Sequence, residues 1–236
     1  MLSVVIPCCN EAFRLEPLCA LIDGAAGRGW EWLLVDDGSR DGTGGLLESF
    51  AARSRSRVRL LRHERNRGKG AAVRTGVLAS QGDLVGYVDA DLAASPLDFA
   101  AWLDDDGLRA GRELLVGIRL LTQERLVERR LWRHLLGRVY LTYVSCVTGL
   151  TVYDTQCGFK LLSGERARRL FEPLGCAGFA FDTELILRAL GAGMRIREVP
   201  VAWQERGRSR VRPWNALRMA VDIVAIRARL AREGRG

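Results

Sequence analysis

Two pairs of aspartates stand at the ends of short apolar runs in the first half of the chain. Asp36 and Asp37 follow EWLLV, and the D-A-D of Asp89 and Asp91 follows LVGYV. A carboxylate in such a position accepts hydrogen bonds from a base imide or a ribose hydroxyl. Residues i and i+2 of an extended segment point to the same side, so Asp89 and Asp91 can face one Mg²⁺ or Mn²⁺ bound to diphosphate oxygens. The acid pairs therefore predict a site for a nucleotide diphosphate and a divalent metal.

A third polar segment, N-R-G-K-G at 66–70, opens a predicted helix. Its glycines, amide groups and Lys69 favour a phosphate or another anion. Taken singly, D-x-D is typical of an acidic turn and N-R-G-K-G of a helix cap, but their occurrence at successive strand ends favours a nucleotide site. The sequence lacks G-x-G-x-x-G after its first predicted strand and G-x-x-x-x-G-K-[ST] throughout, which argues against Rossmann dehydrogenases and P-loop proteins.

The elements that must position these residues are short apolar runs that alternate with stretches of helical length. This pattern predicts an α/β fold with a mostly parallel central sheet and helices on both faces. Ligands bind such sheets beyond the carboxyl ends of the strands, where the polar segments lie. The predicted strands are 3–7, 31–36, 58–62, 84–89, 114–118 and 196–201, with a polar strand-like piece at 154–162. The predicted helices are 11–25, 43–52, 70–79, 96–103, 182–190 and a tail from about 213.

The composition is that of a globular protein. The chain has 236 residues, of which 48% are hydrophobic and 27% charged, and this excludes a collagen-like or disordered chain. No uncharged apolar run reaches the roughly 18–20 residues of a membrane span, and no secretory signal is evident, so we expect a cytosolic protein. The six cysteines form no C-x-x-C and are expected to be reduced, without a metal or disulfide role.

The net charge of +8 is unevenly distributed. Six arginines stand against two glutamates in 118–138, and eleven arginines against four acids in 195–236, while the remainder is slightly acidic. This predicts a polyanionic partner at one place. We expect one domain at 1–210 and a basic amphipathic helix at 211–236. Apolar stripes in 125–147 and in the tail are bordered by arginines, and they either suit an anionic membrane surface or pack on the sheet.

Longer segments of the chain resemble a known enzyme family. The first half of the chain resembles the family 2 glycosyltransferases, which have the GT-A fold. The segments similar to that family's signatures are SVVIPCCNEAFRL, LLVDDGSRDGT, NRGKGAAVRTG and YVDADLAASP. The second half of the chain resembles dolichyl-phosphate β-glucosyltransferases and prokaryotic polyprenyl-phosphate glycosyltransferases. The segments that carry this resemblance are DTQCGFKLL, FAFDTELI and REVPVAWQER. The resemblance covers roughly residues 3–210.

On the donor side, the resemblance implies roles for individual residues. Asp37, and with less weight Asp36, would read uracil, and Lys69 would lie near the nucleotide. Asp89 would hold ribose or sugar hydroxyls, and Asp91 would hold the metal bound to the diphosphate. The nucleotide pocket would be lined by Pro7, Asn10 and Glu11.

On the acceptor side, the resemblance implies a phosphate site built from basic residues. Arg119 would meet the acceptor phosphate, and Ser209 and Arg210 stand where relatives have Ser-Lys near this group. Lys160, within D-T-Q-C-G-F-K, is a further substrate-binding candidate. One or more arginines of the basic segment would assist, namely Arg129, Arg130 and Arg133.

These features predict an inverting transfer of a hexose, with glucose expected, from a UDP-sugar to a polyprenyl phosphate. A phosphomonoester has a second pKa of about 6, so it is largely ionised at neutral pH and needs cationic positioning more than a strong base. A hydroxyl acceptor would need a carboxylate base, for which Asp182 and Asp154 are the candidates. Each of them is otherwise a helix cap or a loop carboxylate.

Other functions stay open. The chain could be a family 2 transferase acting on a sugar or glycan hydroxyl, or one that uses GDP-mannose as donor. An arginine-rich nucleic-acid binder is disfavoured, because acidic strand ends would repel a phosphate backbone. We expect a peripheral protein on the inner face of a membrane, with Mg²⁺ or Mn²⁺ as cofactor. Its partners would be a nucleotide sugar, a polyprenyl phosphate and anionic lipid.

Overall fold

The computed structural model describes residues 1–119, 142–204 and 213–233, with side chains in the last segment from Leu217 onward. The strands in these ranges are β1 (Leu2–Cys8), β2 (Glu31–Asp37), β3 (Arg57–His63), β4 (Leu84–Val88), β5 (Glu113–Arg119), β6 (Phe159–Ser163) and β7 (Arg195–Val201). They form one sheet in the order β3-β2-β1-β4-β6-β5-β7.

Helices cover both faces of this sheet. The α-helices are α1 (Leu15–Gly24), α2 (Thr43–Arg53), α3 (Lys69–Ala79), α4 (Asp106–Arg109), α5 (142–148), α6 (Gly164–Phe171), α7 (Phe181–Gly191) and α8 (Pro213–Glu233). Short 3₁₀ helices occupy Ala12–Arg14, Ala26–Arg28 and Pro96–Trp102.

Strands β1 to β4 are mutually parallel, so their carboxyl ends meet at one edge of the sheet. β1, β2 and β4 are buried on both faces, which explains why their sequences are apolar almost without interruption. β6 runs antiparallel to β4, with Lys160 opposite Tyr87 and Phe159 opposite Val88. The loop that precedes β6 therefore lies directly beside the end of β4.

The core consists of two apolar clusters, one on each face of the sheet. On one face, the ring of Tyr87 packs against Phe171 and Phe181, which come from α6 and α7. On the other face, Phe99 stacks on Phe159 with 4.2 Å between ring centroids. Both clusters reach the end of β4, so this strand is packed on both faces where the acidic residues begin.

The predicted α/β architecture is confirmed, with three local differences. The predicted helix at 96–103 is a 3₁₀ helix, capped by Ser95, whose hydroxyl accepts from Leu97 N. The predicted strand at 154–162 begins only at Phe159, because the residues before it form a loop. The predicted helix at 11–25 is split into a 3₁₀ turn and α1. Most of the predicted amphipathic helix at 125–147 lies outside the described residues.

Helix α8 has two apolar faces with different environments. Met219, Ile223 and Ile226 are buried in the cluster on the α7 side. The predicted stripe, which includes Leu217, Val221 and Val224, is 52–63% exposed, so the alternative that it packs on the sheet is wrong for these residues. None of the helices within the described ranges has the length and apolarity needed to cross a bilayer. The division of the chain at 210/211 stays a prediction.

We expect Ile223→Ala to lower the free energy of unfolding by about 2–5 kcal/mol, because it leaves a cavity in the core. Val221→Ala on the same helix should change it by about 0.5 kcal/mol or less, since that side chain is already in solvent. Urea unfolding of both variants measures the difference. Equal losses would contradict the orientation of α8.

Candidate active site

The loops that follow β1, β2 and β3 are joined by hydrogen bonds into one wall. Asn10 N donates to Ser39 Oγ over 2.8 Å, and Arg40 N donates to Asn10 Oδ1 over 2.8 Å. Asn66 Nδ2 contacts the sulfur of Cys9 at 3.0 Å. Asn10 has φ of 52°, a left-handed conformation that asparagine tolerates better than most residues. The wall is therefore held by side chains that bridge the three loops, together with the unusual backbone conformation of Asn10.

The second aspartate of β2 clamps the N-R-G-K-G turn. Asp37 is buried, and its carboxylate accepts from Arg67 N at 2.8 Å and from Gly68 N at 2.9 Å. His63 Nδ1 lies 2.7 Å from the same carboxylate. Gly68 has φ of 104°, and a methyl group there would overlap the carbonyl of Ala177. The clamp thus fixes the start of α3, and the role of Asp37 in reading uracil stays a prediction.

The other predicted donor-side residues line the same edge. Asp36 is buried, accepts from Ser39 N and lies 3.3 Å from Arg62 Nε. Glu11 is ion-paired with Arg14, and its backbone N–H donates to Thr43 Oγ1. Pro7 is half-buried near the end of β1. The structure brings these residues together, and their contact with a nucleotide stays a prediction.

The D-A-D pair occupies the turn that follows β4. Lys69 Nζ lies 2.6 Å from Asp89 Oδ1. Burial opposes the charge of Lys69, but the attraction of Asp89 and Asp182 outweighs it and raises its pKa. Asp91 Oδ1 accepts from Ala93 N at 3.0 Å. Burial raises the pKa of Asp91 and outweighs that hydrogen bond, which lowers it. Repulsion from Asp89 raises the pKa further. The turn itself is strained, because Leu92 has φ of 54°.

Asp89 and Asp91 have the chemistry of a hard-cation site. Both are half-buried carboxylates two residues apart, and Lys69 forms its ion pair with Asp89. Among the described side chains, no cluster of three or more His, Cys, Asp or Glu could hold a metal. A cation on this pair would therefore keep most of its coordination positions for diphosphate oxygens and water, as Mg²⁺ commonly does. The pair fits such a cation in charge and donor type.

The D-T-Q-C-G loop reaches the acid pair from the second half of the chain. A methyl group on Gly158 would overlap the carboxylate of Asp89, so the loop backbone lies against that side chain. Asp154, in the same loop, forms a bidentate ion pair with Arg119, with N–O distances of 2.6 and 2.9 Å. The Arg119 guanidinium also lies 5.1 Å from the ring of Trp203. Burial works against its charge, but Asp154 raises its pKa.

Lys160 and Asp182 lie beneath the site and do not face it. Lys160 is fully buried, Asp182 is 1% exposed, and Lys160 Nζ lies 2.7 Å from Asp182 Oδ1. The alternative that Asp182 caps a helix is wrong. α7 begins at Phe181 after Ala180, which makes no side-chain cap, and Asp182 instead accepts from the hydroxyl of Tyr87. The predicted substrate contacts of Lys160 and catalytic role of Asp182 stay predictions, and the observed contacts favour an indirect role.

Five predicted acceptor-side residues lie outside the described residues, and their roles stay predictions: Arg129, Arg130, Arg133, Ser209 and Arg210. Sequence reasoning also missed four residues. Arg14 pairs with Glu11, which is the main cause of its raised pKa. The charges of Asp91 and Asp89 raise the same pKa by smaller amounts. His63, Tyr87 and Trp203 contact the predicted residues Asp37, Asp182 and Arg119. Signals existed for Arg14, which follows Glu11 by three residues, for His63, which directly follows the predicted strand at 58–62, and for Trp203, which lies within REVPVAWQER.

Replacing Asp91 by asparagine should raise the melting temperature of the metal-free protein at pH 7. The folded-state pKa of Asp91 is raised above its ordinary value of 3.8, so the charged form costs stability once the pH exceeds that range. The gain should shrink as the pH falls toward 3.8. Asp104→Asn, at a side chain 99% exposed, is the control and should show little change at either pH. A lower melting temperature for Asp91→Asn at pH 7 would contradict the prediction.

Known proteins match both the sequence and the fold. The sequence model of the protein family "Glycosyl transferase family 2" matches residues 3–107 of the chain. A dolichyl-phosphate beta-glucosyltransferase from Dictyostelium discoideum is 35% identical over 97% of this chain and 74% of its own length. The Homo sapiens protein of the same name is 33% identical over 97% of this chain and 75% of its own length.

Solved structures have a similar fold. Glucosyl-3-phosphoglycerate synthase from Mycobacterium tuberculosis superposes with a TM-score of 0.62 at 24% identity, covering 96% of this chain and 78% of that one. A mannosyltransferase from Pyrobaculum calidifontis, in complex with GDP-Man and Mn²⁺, superposes with a TM-score of 0.60 at 19% identity, covering 98% and 64%. The expected GT-A fold is confirmed, and the chain belongs to the family 2 glycosyltransferases, among the relatives of the dolichyl-phosphate β-glucosyltransferases.

Proposed function

We propose that this glycosyltransferase moves glucose from UDP-glucose to the phosphate of a polyprenyl lipid, with inversion at the anomeric carbon. The names of its 33–35% identical relatives specify a dolichyl-phosphate acceptor and a β product. A β-glucoside made from an α-linked nucleotide sugar requires inversion. The catalytic domain would be 1–210.

One observation carries the choice of a phosphate acceptor over a hydroxyl acceptor. The two carboxylates that could act as a base are already engaged, since Asp154 holds Arg119 and Asp182 is buried against Tyr87 and Lys160. A hydroxyl nucleophile needs such a base, whereas a phosphomonoester arrives already ionised. Beside the acid pair, Arg119 at the end of β5 offers a guanidinium that Asp154 of the loop orients, and this suits a phosphate.

The donor would lie along the wall at the ends of β1 to β4. The backbone start of α3 and Lys69 would face its phosphates, and Asn10 and Glu11 would lie near its base and ribose. Asp89 and Asp91 would hold a divalent cation. When bound, that cation offsets the negative charge that develops on the departing diphosphate.

The acceptor phosphate would approach from the Arg119 side. Arg119 is 40% exposed at its side chain and is fixed by Asp154 and the Trp203 ring, so its orientation is set before the acceptor arrives. Trp203 is tied in turn to the D-A-D turn, because Gln204 N donates to Ala93 O over 2.8 Å. An attacking phosphate oxygen and the anomeric carbon would then meet beside Asp89 with little loss of freedom.

Arg119→Gln should raise the KM for polyprenyl phosphate by about 10- to 100-fold, because one charge-assisted contact to a phosphate contributes about 1.5–3 kcal/mol. The KM for UDP-glucose should change far less. Arg109→Gln, at an exposed arginine paired with Asp104, is the matched control. Initial rates with labelled UDP-glucose, Mn²⁺ and a detergent-dispersed acceptor measure both constants.

The same assay tests the chemistry of the acceptor and the donor. Polyprenyl phosphate should be glucosylated, while unphosphorylated polyprenol and free glycans should not, and EDTA should abolish turnover. Transfer to glycans without a phosphate requirement would replace this proposal with a transferase acting on hydroxyls. Faster turnover with GDP-mannose would overturn the assignment of the donor.

We propose that the outward face of α8 rests on the membrane that holds the acceptor. Leu217, Val221 and Val224 are exposed on one side of the helix, and Arg218 and Arg227 are exposed on the same element. Apolar side chains bordered by arginines suit an interface with anionic headgroups. The inward face is already occupied, since Arg229 pairs with the buried Glu184 at 2.8 Å.

Replacing Leu217, Val221 and Val224 together by serine should weaken binding to anionic vesicles by about tenfold or more, since each inserted side chain contributes on the order of 1 kcal/mol. The matched control replaces Leu46, Leu78 and Leu190, which are 37–50% exposed on three other helices. Vesicle flotation at low salt measures binding, which should weaken as salt is added. Equal binding of wild type and the α8 variant would contradict this role.

A further inference from the structure

Three polar side chains form a fully buried cluster under the acid pair. Tyr87 comes from β4, Lys160 from β6 and Asp182 from α7, and each is at most 1% exposed. The Tyr87 hydroxyl donates to Asp182 Oδ1 over 2.5 Å, and Lys160 Nζ lies 2.7 Å from the same oxygen. One carboxylate oxygen thus joins the central sheet to the helix that packs on it.

The Lys160 ammonium is satisfied by three acceptors. Besides Asp182, it donates to the carbonyl oxygens of Cys157 at 2.7 Å and Thr155 at 3.2 Å. An ammonium has three N–H groups, so each has a partner, and the cost of burying its charge is offset by contacts of good geometry.

The lysine at position 160 is chemically distinct from most basic residues of the chain, which are arginines. Of the 36 basic residues of the chain only Lys69 and Lys160 are lysines, and each is ion-paired with an aspartate, Asp89 or Asp182. A flat guanidinium with five N–H groups would not fit three acceptors gathered around one point. The position therefore selects a compact ammonium in a chain that otherwise uses arginine.

The two carbonyls bound by Lys160 belong to the loop that bridges both sides of the site. Asp154 holds Arg119 at one end of the loop, and Gly158 lies against Asp89 at the other. The bonds from Lys160 to Thr155 and Cys157 lie between these two points and fix the loop from below. A shift of the loop would move the guanidinium relative to the acid pair.

We infer that Tyr87, Lys160 and Asp182 are positioning residues that set the spacing between Arg119 and Asp89 through the 154–158 loop, without touching substrate. This inference rests on the proposed function for the identity of the acceptor and donor sides. The cluster itself is defined by contacts that do not depend on that assignment.

Tyr87→Phe removes one hydrogen bond to Asp182 and keeps the ring that packs on Phe171 and Phe181. Lys160→Arg keeps the charge but not the geometry. Tyr143→Phe is the matched control, since its hydroxyl donates to Ala220 O on α8, a helix that contributes no residue to the 154–158 loop. Amide hydrogen exchange of the substrate-free proteins and steady-state kinetics are measured for each variant.

In Tyr87→Phe we expect faster exchange confined to peptides that cover 154–158. We also expect kcat to fall about 10- to 100-fold, the size of effect that a small misplacement produces, while the KM for the nucleotide sugar stays within about twofold. Tyr143→Phe should match wild type in both measurements. If Lys160→Arg folds, it should show the same pattern as Tyr87→Phe. If it does not fold, the result for Tyr87→Phe alone decides the test.

Two results would overturn the inference. One is wild-type loop exchange and wild-type kcat in Tyr87→Phe. The other is exchange that rises equally throughout the protein, since the cluster would then serve stability alone. A wild type that fails to glucosylate polyprenyl phosphate, together with a selective rise in loop exchange, would reject the proposed acceptor and leave the cluster in place.

Discussion

Asp89 lies where the two halves of the sheet meet, and the rest of the site depends on how closely Gly158 approaches its carboxylate. Because β6 runs antiparallel to β4, the loop before β6 has to turn beside the end of β4. A Cβ at position 158 would overlap Asp89 Oδ2, so any residue larger than glycine would displace that carboxylate. The same loop contains Asp154, which forms the ion pair with Arg119 at the end of β5. The 154–158 loop therefore contacts both sides of the site, Asp89 through Gly158 and Arg119 through Asp154.

The acids at the strand ends share a location but differ in their electrostatic environment. Asp37 is satisfied by two backbone N–H groups and His63, and Asp89 is paired with Lys69. Asp91 is half-buried, and burial raises its pKa. The first two stabilise the turns around them, whereas the charge on Asp91 is costly until a cation arrives. A perturbed carboxylate of this kind, next to the strained Leu92, is typical of a functional position.

The sequence predicted the parallel half of the sheet and the location of the acidic turns, because strands buried on both faces have continuous apolar sequences and turns follow them directly. It did not predict the direction of β6, which depends on a pairing with β4 that is remote in the chain. Asp182 stands near the start of α7 and looked like a cap, but its partners Tyr87 and Lys160 come from other elements. Periodicity identified an apolar stripe on α8 without revealing that a second stripe packs inward.

These non-local contacts also bear on the chemistry. Asp154 is paired with Arg119, and Asp182 is buried against Lys160 and Tyr87, so neither carboxylate is free to approach an acceptor hydroxyl. The proposed phosphomonoester acceptor needs no carboxylate base, because it is already largely ionised at neutral pH. Such an acceptor brings up to two negative charges to a site that already contains Asp89 and Asp91. In the proposed function the arginine-rich parts of the sequence would supply the opposite charge, which is consistent with acidic strand ends in a protein of net charge +8.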